Sequence, residues 1–304
     1  EVQITNFRKF GISDKMHVLV WYPNVKTNPD KPKLEPWIAL SKKYPEVKFF
    51  FYEDKGLTVP EFTLYISQLR PQILSRHFEK YPELKDKIFF YHDSDIIFNY
   101  LPDFQRLIED DINWQSDTSG YLDYNYLRSK EIQGNIPENE AIKIMADIGN
   151  ITVDTFKSYI GRTGGAQCIL KGIDADFWKD VERQCIEIRK KFLYGQPDSI
   201  NTRYFSNENA GFQSWCADMW ALNMALWSRG KKTNITKDLD FSWATDTAET
   251  FKKKPIFHNA GATGRDTSIF YKGGWQLKSP IGKKHIVKKD SASYYYVQAI
   301  NEVK

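Results

Sequence analysis

The sequence IFFYHDSDIIF, residues 88 to 98, joins two apolar runs through Asp93, Ser94 and Asp95. The first run, Ile88 to Tyr91, is rich in aromatic and β-branched residues, a composition typical of a strand that is buried on both faces. Burying two unpaired carboxylates is costly, so we expect Asp93 and Asp95 to lie in a cleft at the strand end, facing a positive charge. A loop with solvated acids is the alternative for this stretch taken alone.

The spacing of the two aspartates favours binding of a single cation. Alternate residues of a strand point the same way, so both carboxylates can reach one ion. Oxygen ligands with no cysteine nearby suit Mn²⁺ or Mg²⁺ better than zinc. Such an ion typically completes its coordination shell with water and with substrate phosphates. We therefore predict a Mn²⁺ or Mg²⁺ site at Asp93 and Asp95.

The composition is that of an ordinary globular protein and narrows the function classes. The 304 residues are 41% hydrophobic and 27% charged, and their net charge of +4 is too small to indicate nucleic-acid binding. No apolar run approaches the ~18 residues of a membrane span, and the lysine-rich stretches 252–254 and 283–289 are interpreted as solvated surface. Three cysteines in apolar surroundings indicate reduced thiols and a cytoplasmic protein.

Strands and helices alternate along the first hundred residues. Strands are predicted at 17–21, 47–52 and 88–91, with a helix before each of the last two. Pro71 should kink or divide the second helix, predicted over 60–80. This alternation is typical of an α/β fold with a mainly parallel, twisted central sheet flanked by helices. Ligands of such sheets bind beyond the carboxyl ends of the strands, which is where the two aspartates lie.

Three features of the second half of the chain could carry chemistry. Gly164 and Gly165 precede a predicted strand and permit either close approach of a ligand or a tight turn. Asp218 is the one acid in a predicted helix, 212–227, that is dense in Trp and Met, so its carboxylate needs a partner or a function. His258 follows a short predicted strand, where a histidine can be either a ligand or a satisfied core residue.

Four segments, taken in order, resemble segments of glycosyltransferases of the GT-A fold. YHDSDIIF is similar to their metal-binding D-x-D motif, and GGAQCIL is similar to the glycine-containing strand on the acceptor side of the sugar. QSWCADMWALN resembles the segment that places a carboxylate beside the transferred sugar, and IFHNAG resembles the late strand whose His is the third metal ligand. The resemblance spans roughly residues 16–275. It is loosely that of the glycogenin-type and lipopolysaccharide galactosyltransferases, in which an aspartate, here Asp218, is followed five residues on by Asn, here Asn223.

The resemblance implies a metal-dependent glycosyltransferase that moves a sugar from a nucleoside-diphosphate sugar, with UDP-sugars favoured. The acceptor would be a hydroxyl group of a glycan, a protein, a lipid-linked sugar or a modified nucleobase. It also implies one domain, 1–304, with a nucleotide-binding half at about 16–110, an acceptor half at about 111–275 and a C-terminal surface segment at 276–304.

The resemblance also implies roles for individual residues. Asp93, Asp95 and His258 would bind Mn²⁺ or Mg²⁺, and Asp218 would deprotonate the acceptor or stabilise the sugar cation. The Asp218–Asn223 spacing favours the second role and a retaining reaction. The family's late Lys-Pro-Trp is missing, so the nearest basic residues are candidates for binding the diphosphate. The full set of substrate-binding candidates is Tyr22, Pro23, Tyr52, Asp54, Ser94, Asp117, Gly164, Gly165, Gln167, Arg265 and Lys272.

Two other function classes remain open at this point. A nucleotidyltransferase could share the sheet and the metal-binding acids, but it would want a basic, glycine-rich phosphate loop after the first strand, and WYPNVKTNPD at 21–30 lacks one. A non-catalytic carbohydrate-binding protein would have no reason to combine paired acids with His258 and Asp218. Release of nucleoside diphosphate rather than pyrophosphate would separate the first class from a glycosyltransferase.

Overall fold

A computed structural model of the protein describes residues 1–22, 34–53, 66–275 and 278–304. About 47% of these residues are helical and about 16% lie in strands, which confirms the α/β class. The chain contacts divide it into two compact units. The first unit comprises Glu1–Glu53, His92–Phe104 and Lys237–Lys304, and the second comprises Asp54–Tyr91 and Gln105–Thr236.

The described residues contain nine strands and twelve α-helices. The strands are β1 His17–Tyr22, β2 Lys48–Glu53, β3 Ile88–His92, β4 Ile96–Phe98, β5 Asn113–Asp117, β6 Gly164–Lys171, β7 Thr233–Ile235, β8 Phe241–Trp243 and β9 Ile256–His258. The helices are α1 Val2–Lys9, α2 Glu35–Lys43, α3 Leu69–Lys80, α4 Phe104–Ile108, α5 Tyr124–Gln133, α6 Glu140–Gly149, α7 Val153–Ser158, α8 Ala175–Phe192, α9 Ile200–Tyr204, α10 Ala217–Ser228, α11 Ala248–Lys253 and α12 Ala292–Asn301.

The strands form three open sheets of mixed direction. β1 and β2 pair in parallel. In the sheet β4-β9-β8, β9 runs antiparallel to β4 and parallel to β8. In the sheet β3-β6-β5-β7, β5 runs antiparallel to β6 and parallel to β7. The mainly parallel central sheet predicted from the sequence is therefore not confirmed, because hydrophobic patterns locate strands but do not determine which strands pair or in which direction.

The core of the first unit includes the end of the chain. α12 buries Tyr296, Val297 and Ile300, and the Tyr296 ring lies 5.3 Å from that of Phe257. The prediction that 276–304 lies on the surface is therefore wrong for α12. Residues 276–304 are polar on average, but α12 within them has one apolar face, and this face packs against the sheet.

The core of the second unit is built mainly by α8 and α10. Trp178 of α8 and Trp220 of α10 are almost fully buried, and α10 is apolar around nearly its whole circumference, as the sequence indicates. Asp174 caps α8, because its carboxylate accepts a hydrogen bond from the backbone N–H of Phe177 at 2.8 Å. Pro71 lies in the first turn of α3, after a short 3-10 helix, where its missing N–H group has no helical partner to lose.

Two further observations bear on the sequence predictions. All three cysteines are free and buried. Within the described ranges, no helix combines the length and apolar composition needed to cross a bilayer.

Candidate metal centre

The aspartate motif forms a turn between two strands that belong to different sheets. β3 ends at His92, the turn follows, and β4 begins at Ile96. All three residues of β4 are buried, so this strand anchors the turn in the core of the first unit. The antiparallel register places Ile96 opposite His258 of β9, and the Asn259 amide donates to the Asp95 carbonyl at 3.0 Å. This strand pairing brings His258 to the two aspartates.

Asp93, Asp95 and His258 each offer a ligand atom, and the three atoms all lie within 4.8 Å of one another. The Nε2 atom of His258 lies 3.1 Å from a carboxylate oxygen of Asp93 and 3.4 Å from one of Asp95. The His258 side chain is 6% exposed, whereas those of Asp93 and Asp95 are 25% and 17% exposed. The imidazole of the cluster is thus shielded from solvent, whereas the two carboxylates are partly accessible to it.

The charges of the cluster shift its protonation equilibria. Burial acts to lower the pKa of His258, but hydrogen bonds to both carboxylates outweigh it and raise this pKa to about 9. Burial acts to raise the pKa of Asp95, and the neighbouring His258 and Lys272 outweigh it and lower this pKa. The Lys272 ammonium forms an ion pair with Asp95 while about half of its side chain remains exposed. A protonated imidazole and an ammonium therefore hold together two carboxylates that would otherwise repel each other.

Aromatic rings line the buried side of His258. β8 runs parallel to β9 and places Trp243 opposite His258, with the two rings nearly parallel and their centroids 6.0 Å apart. The ring of Phe241 lies 5.5 Å from the same imidazole. Burial, with a contribution from the charge of Asp95, raises the pKa of Tyr296 on α12. The rings of Trp243 and Phe241 fix the orientation of the imidazole and keep water from its inner face.

Helix α1 supports the aspartate turn from both ends. The Gln3 amide donates to the Asp93 carbonyl at 3.0 Å, and the Asn6 side chain both donates to the Phe98 carbonyl and accepts from its amide. No helix is predicted from the sequence at these residues. The buried face of α1 contains Gln3 and Asn6 beside Ile4 and Phe7, so the apolar periodicity is interrupted by the polar residues that contact the turn. The three-residue spacing of Ile4 and Phe7 was the only local signal.

Asp218 belongs to the second unit and has a charged partner there. Its side chain is 6% exposed and lies 2.5 Å from a guanidinium nitrogen of Arg70, on α3. Asn223, one turn later on α10, donates to the Gly164 carbonyl at 2.7 Å and to the Met219 carbonyl at 3.0 Å. The buried carboxylate thus has the compensating partner that its apolar surroundings require, and Asn223 links α10 to β6.

Gly164 and Gly165 allow close approach of the protein's own segments. A Cβ atom on Gly164 would lie 2.3 Å from the Cβ atom of Gln115 and 2.5 Å from the Ser116 carbonyl oxygen. A Cβ atom on Gly165 would lie 2.1 Å from the terminal methyl of Met219. The two glycines therefore let β5 and α10 pack against the start of β6, so the close approach is made by the protein's own segments.

The other candidates within the second unit are a buried glutamine and an exposed aspartate. Gln167 is buried in β6, and its backbone N–H donates to the Ser116 hydroxyl at 3.2 Å. Asp117 is exposed at the end of β5 and accepts from the amide and hydroxyl of Ser119.

The remaining candidates belong to the first unit. Tyr22 ends β1, Tyr52 is buried in β2, and Ser94 and Arg265 are exposed. Pro23 and Asp54 lie outside the described residues. The structure therefore brings together Asp93, Asp95, His258 and Lys272 in the first unit, while Asp117, Gly164, Gly165, Gln167 and Asp218 belong to the second.

We compared the chain with protein-family models, with curated proteins and with solved structures. None of them matches it.

The donor atoms of the cluster fit a divalent cation. Two carboxylate oxygens and one imidazole nitrogen are a set that Mn²⁺ accepts readily, and the open side of the carboxylates leaves room for further oxygen ligands. The Nε2 atom of His258, which contacts both carboxylates and has a raised pKa, is the atom that would coordinate the ion. Asp93, Asp95 and His258 could therefore hold a metal ion, and binding would require His258 to release its proton.

Proposed function

We propose that this protein is a metal-dependent glycosyltransferase that uses a nucleoside-diphosphate sugar, with UDP-sugars favoured, and a hydroxyl acceptor. The observation that carries the proposal is the convergence of Asp93, Asp95 and His258 within 4.8 Å. The resemblance to GT-A enzymes assigns metal binding to these same three residues. The proposal includes a GT-A-type arrangement, with Mn²⁺ or Mg²⁺ as cofactor.

The residues of the first unit would act on the diphosphate of the donor. A bound divalent ion would neutralise the diphosphate and the charge that develops on it as the bond to the sugar breaks. Asp93, Asp95 and His258 would hold that ion, and the aromatic rings behind His258 would keep the imidazole in place. Lys272 is ion-paired with Asp95 and about half exposed, so its ammonium is placed to donate to a phosphate oxygen once a cation takes over the charge of Asp95.

Asp218 is the proposed catalytic carboxylate. It would accept the proton of the acceptor hydroxyl in an inverting reaction or stabilise the positive charge on the sugar in a retaining one. Within the second unit, Arg70 orients the carboxylate and compensates its burial. The Asp218–Asn223 spacing favours the retaining reaction. Analysis of the product anomer by NMR would distinguish the two.

The test is a screen of nucleoside-diphosphate sugars for metal-dependent hydrolysis, which needs no acceptor. We expect Mn²⁺ to support release of nucleoside diphosphate and EDTA to abolish it. Asp95→Asn should abolish turnover with the fold intact, because an amide is a poorer ligand of similar size. Asp14→Asn is the matched control, since Asp14 is an exposed acid of the same unit. Full turnover in EDTA would contradict the proposal, and release of pyrophosphate would favour a nucleotidyltransferase.

The same assay tests Asp218. Asp218→Asn should lower kcat by ~10²–10⁴, the range for loss of a positioned acid–base group, with nucleotide affinity nearly unchanged. Asp154→Asn, at a strongly exposed acid of the same unit, is the control. Loss of donor binding instead would make Asp218 a ligand of the sugar hydroxyls, and undiminished activity would make it structural.

A further inference from the structure

A basic loop near the end of the chain accounts for the net charge of the protein. Residues 278–290, which we call the lysine loop, contain five lysines and one acid, an excess of four that equals the net charge of the whole chain. The rest of the sequence is therefore electrically balanced. The lysines are all exposed, and none is ion-paired with an acid of the described residues: Lys278, Lys283, Lys284, Lys288 and Lys289.

An apolar side chain projects from the middle of these charges. Ile286 is 78% exposed, more than any other large apolar side chain in the described part of the chain. Its neighbours Ile281 and Val287 pack against the core of the first unit. A single exposed isoleucine is ordinary. Here a pair of exposed lysines lies on each side of it in the sequence, so the loop presents one exposed apolar side chain between two positively charged pairs.

The lysine loop is ordered although it contains no helix or strand. The His285 ring donates to the Pro280 carbonyl at 2.8 Å and contacts Phe270 and Trp275, with centroids 5.3 and 5.1 Å away. The Lys288 amide donates to the Ser268 carbonyl at 3.0 Å. These contacts hold the backbone on both sides of Ile286, so docking of the loop would require little additional ordering.

We propose that the lysine loop docks the protein on the surface of an anionic phospholipid bilayer. Lysines gain energy near a negatively charged lipid surface, and a short apolar side chain can enter the boundary between headgroups and acyl chains. A nucleic acid would also attract the lysines. Proteins that bind single strands, however, stack the bases on exposed aromatic or Arg side chains, and an isoleucine such as Ile286 cannot take that role. These lysines are exposed, in agreement with the sequence interpretation.

The test is co-sedimentation of the full chain with lipid vesicles. One set contains phosphatidylcholine alone, and the other contains equal parts of phosphatidylcholine and phosphatidylglycerol. We expect binding only to the anionic vesicles, weakening as salt is added. The double variant Lys283→Gln/Lys284→Gln should bind about 30-fold more weakly. Ile286→Ser should bind about tenfold more weakly, because it loses the apolar contact but no charge.

The control is Lys252→Gln/Lys253→Gln, which removes two exposed lysines of α11 in the same unit and should bind as the wild type does. Equal binding to neutral vesicles, or equal losses in the control and the loop variants, would overturn the proposal. So would tight binding to a DNA duplex that depends on Lys283 and Lys284 but not on Ile286, since that pattern indicates a nucleic-acid surface. Circular dichroism of each variant shows whether a loss of binding reflects a loss of fold.

Discussion

The imidazole of His258 lies between two carboxylates, and its protonation couples the stability of the protein to pH. Its pKa in the folded protein is about 9, above the ordinary value of 6.5. A raised pKa means that the folded state holds the proton more tightly than the unfolded state. The stabilisation is therefore fully present below pH 6.5 and is lost as the pH rises through about 9.

We expect the free energy of unfolding of the metal-free protein to fall between pH 6.5 and about 9. The fall should be about 3 kcal/mol, from the difference between the two pKa values. Urea unfolding in EDTA at several pH values measures it, and His258→Gln should remove this dependence. A wild-type protein whose stability does not change across this range would show that His258 does not share its proton with the two aspartates.

Asp95 and Asp218 show how differently two aspartates can be compensated. Asp95 is partly exposed and contacts a shared imidazole and a half-exposed lysine, partners that a cation could replace. Asp218 is 6% exposed and contacts Arg70, which cannot lose its proton under ordinary conditions. The surroundings of Asp95 suit a carboxylate that exchanges its partners, and those of Asp218 suit a carboxylate that keeps its negative charge.

Helix α1 is the element that positions the turn carrying Asp93 and Asp95. Gln3→Ala removes the donor to the Asp93 carbonyl and should weaken Mn²⁺ binding by about tenfold, as is typical for partners that orient metal ligands. Its stability cost should be about 1 kcal/mol. Thr5→Ala, on a less buried position of the same helix, is the control. Isothermal titration with Mn²⁺ measures the affinities, and equal values for both variants would limit α1 to a structural role.

The start of β6 packs tightly against its neighbours at Gly164 and Gly165. Gly164→Ala should destabilise the protein by about 1–3 kcal/mol, because the new methyl meets the Cβ atom and backbone of β5, which cannot move aside. Gly165→Ala should cost less, because the atom in its way is the end of a flexible methionine. Thermal unfolding of both variants measures the order, and a reversed order would contradict the packing described for β6.

At the scale of the whole molecule, metal binding should stabilise the native state. A ligand that binds only the folded form adds about 2.7 kcal/mol at a free concentration of 100 times its Kd. Mn²⁺ should therefore raise the melting temperature of the wild type in a concentration-dependent way, and EDTA should reverse the shift. Asp95→Asn should show little of this effect. A similar rise in both proteins would place the responsible metal site elsewhere.

Neither compact unit is one continuous stretch of the chain. The chain leaves the first unit after Glu53, returns for His92–Phe104, and returns again at Lys237. The aspartate motif and His258 belong to the same unit although most of the second unit separates them in sequence. Their meeting depends on the pairing of β4 with β9, which no local pattern reports.

The sequence by itself located strands β1, β2, β3 and β6 and helices α3 and α10, and it indicated the buried cysteines and the residue types of a possible metal site. These are properties of neighbouring positions, so periodicity and residue chemistry are enough to find them. Short elements such as α1, β7 and α11 were not predicted, because so few residues show too little hydrophobic periodicity. The family resemblance grouped His258 with Asp93 and Asp95, and these three residues do come together. Only the tertiary structure decided the mixed strand directions, the β4–β9 pairing that brings His258 to the aspartates, the Arg70 partner of Asp218 and the packing at Gly164. Each of these depends on contacts between segments far apart in the chain, and such contacts form only when the hydrophobic faces of those segments are buried together.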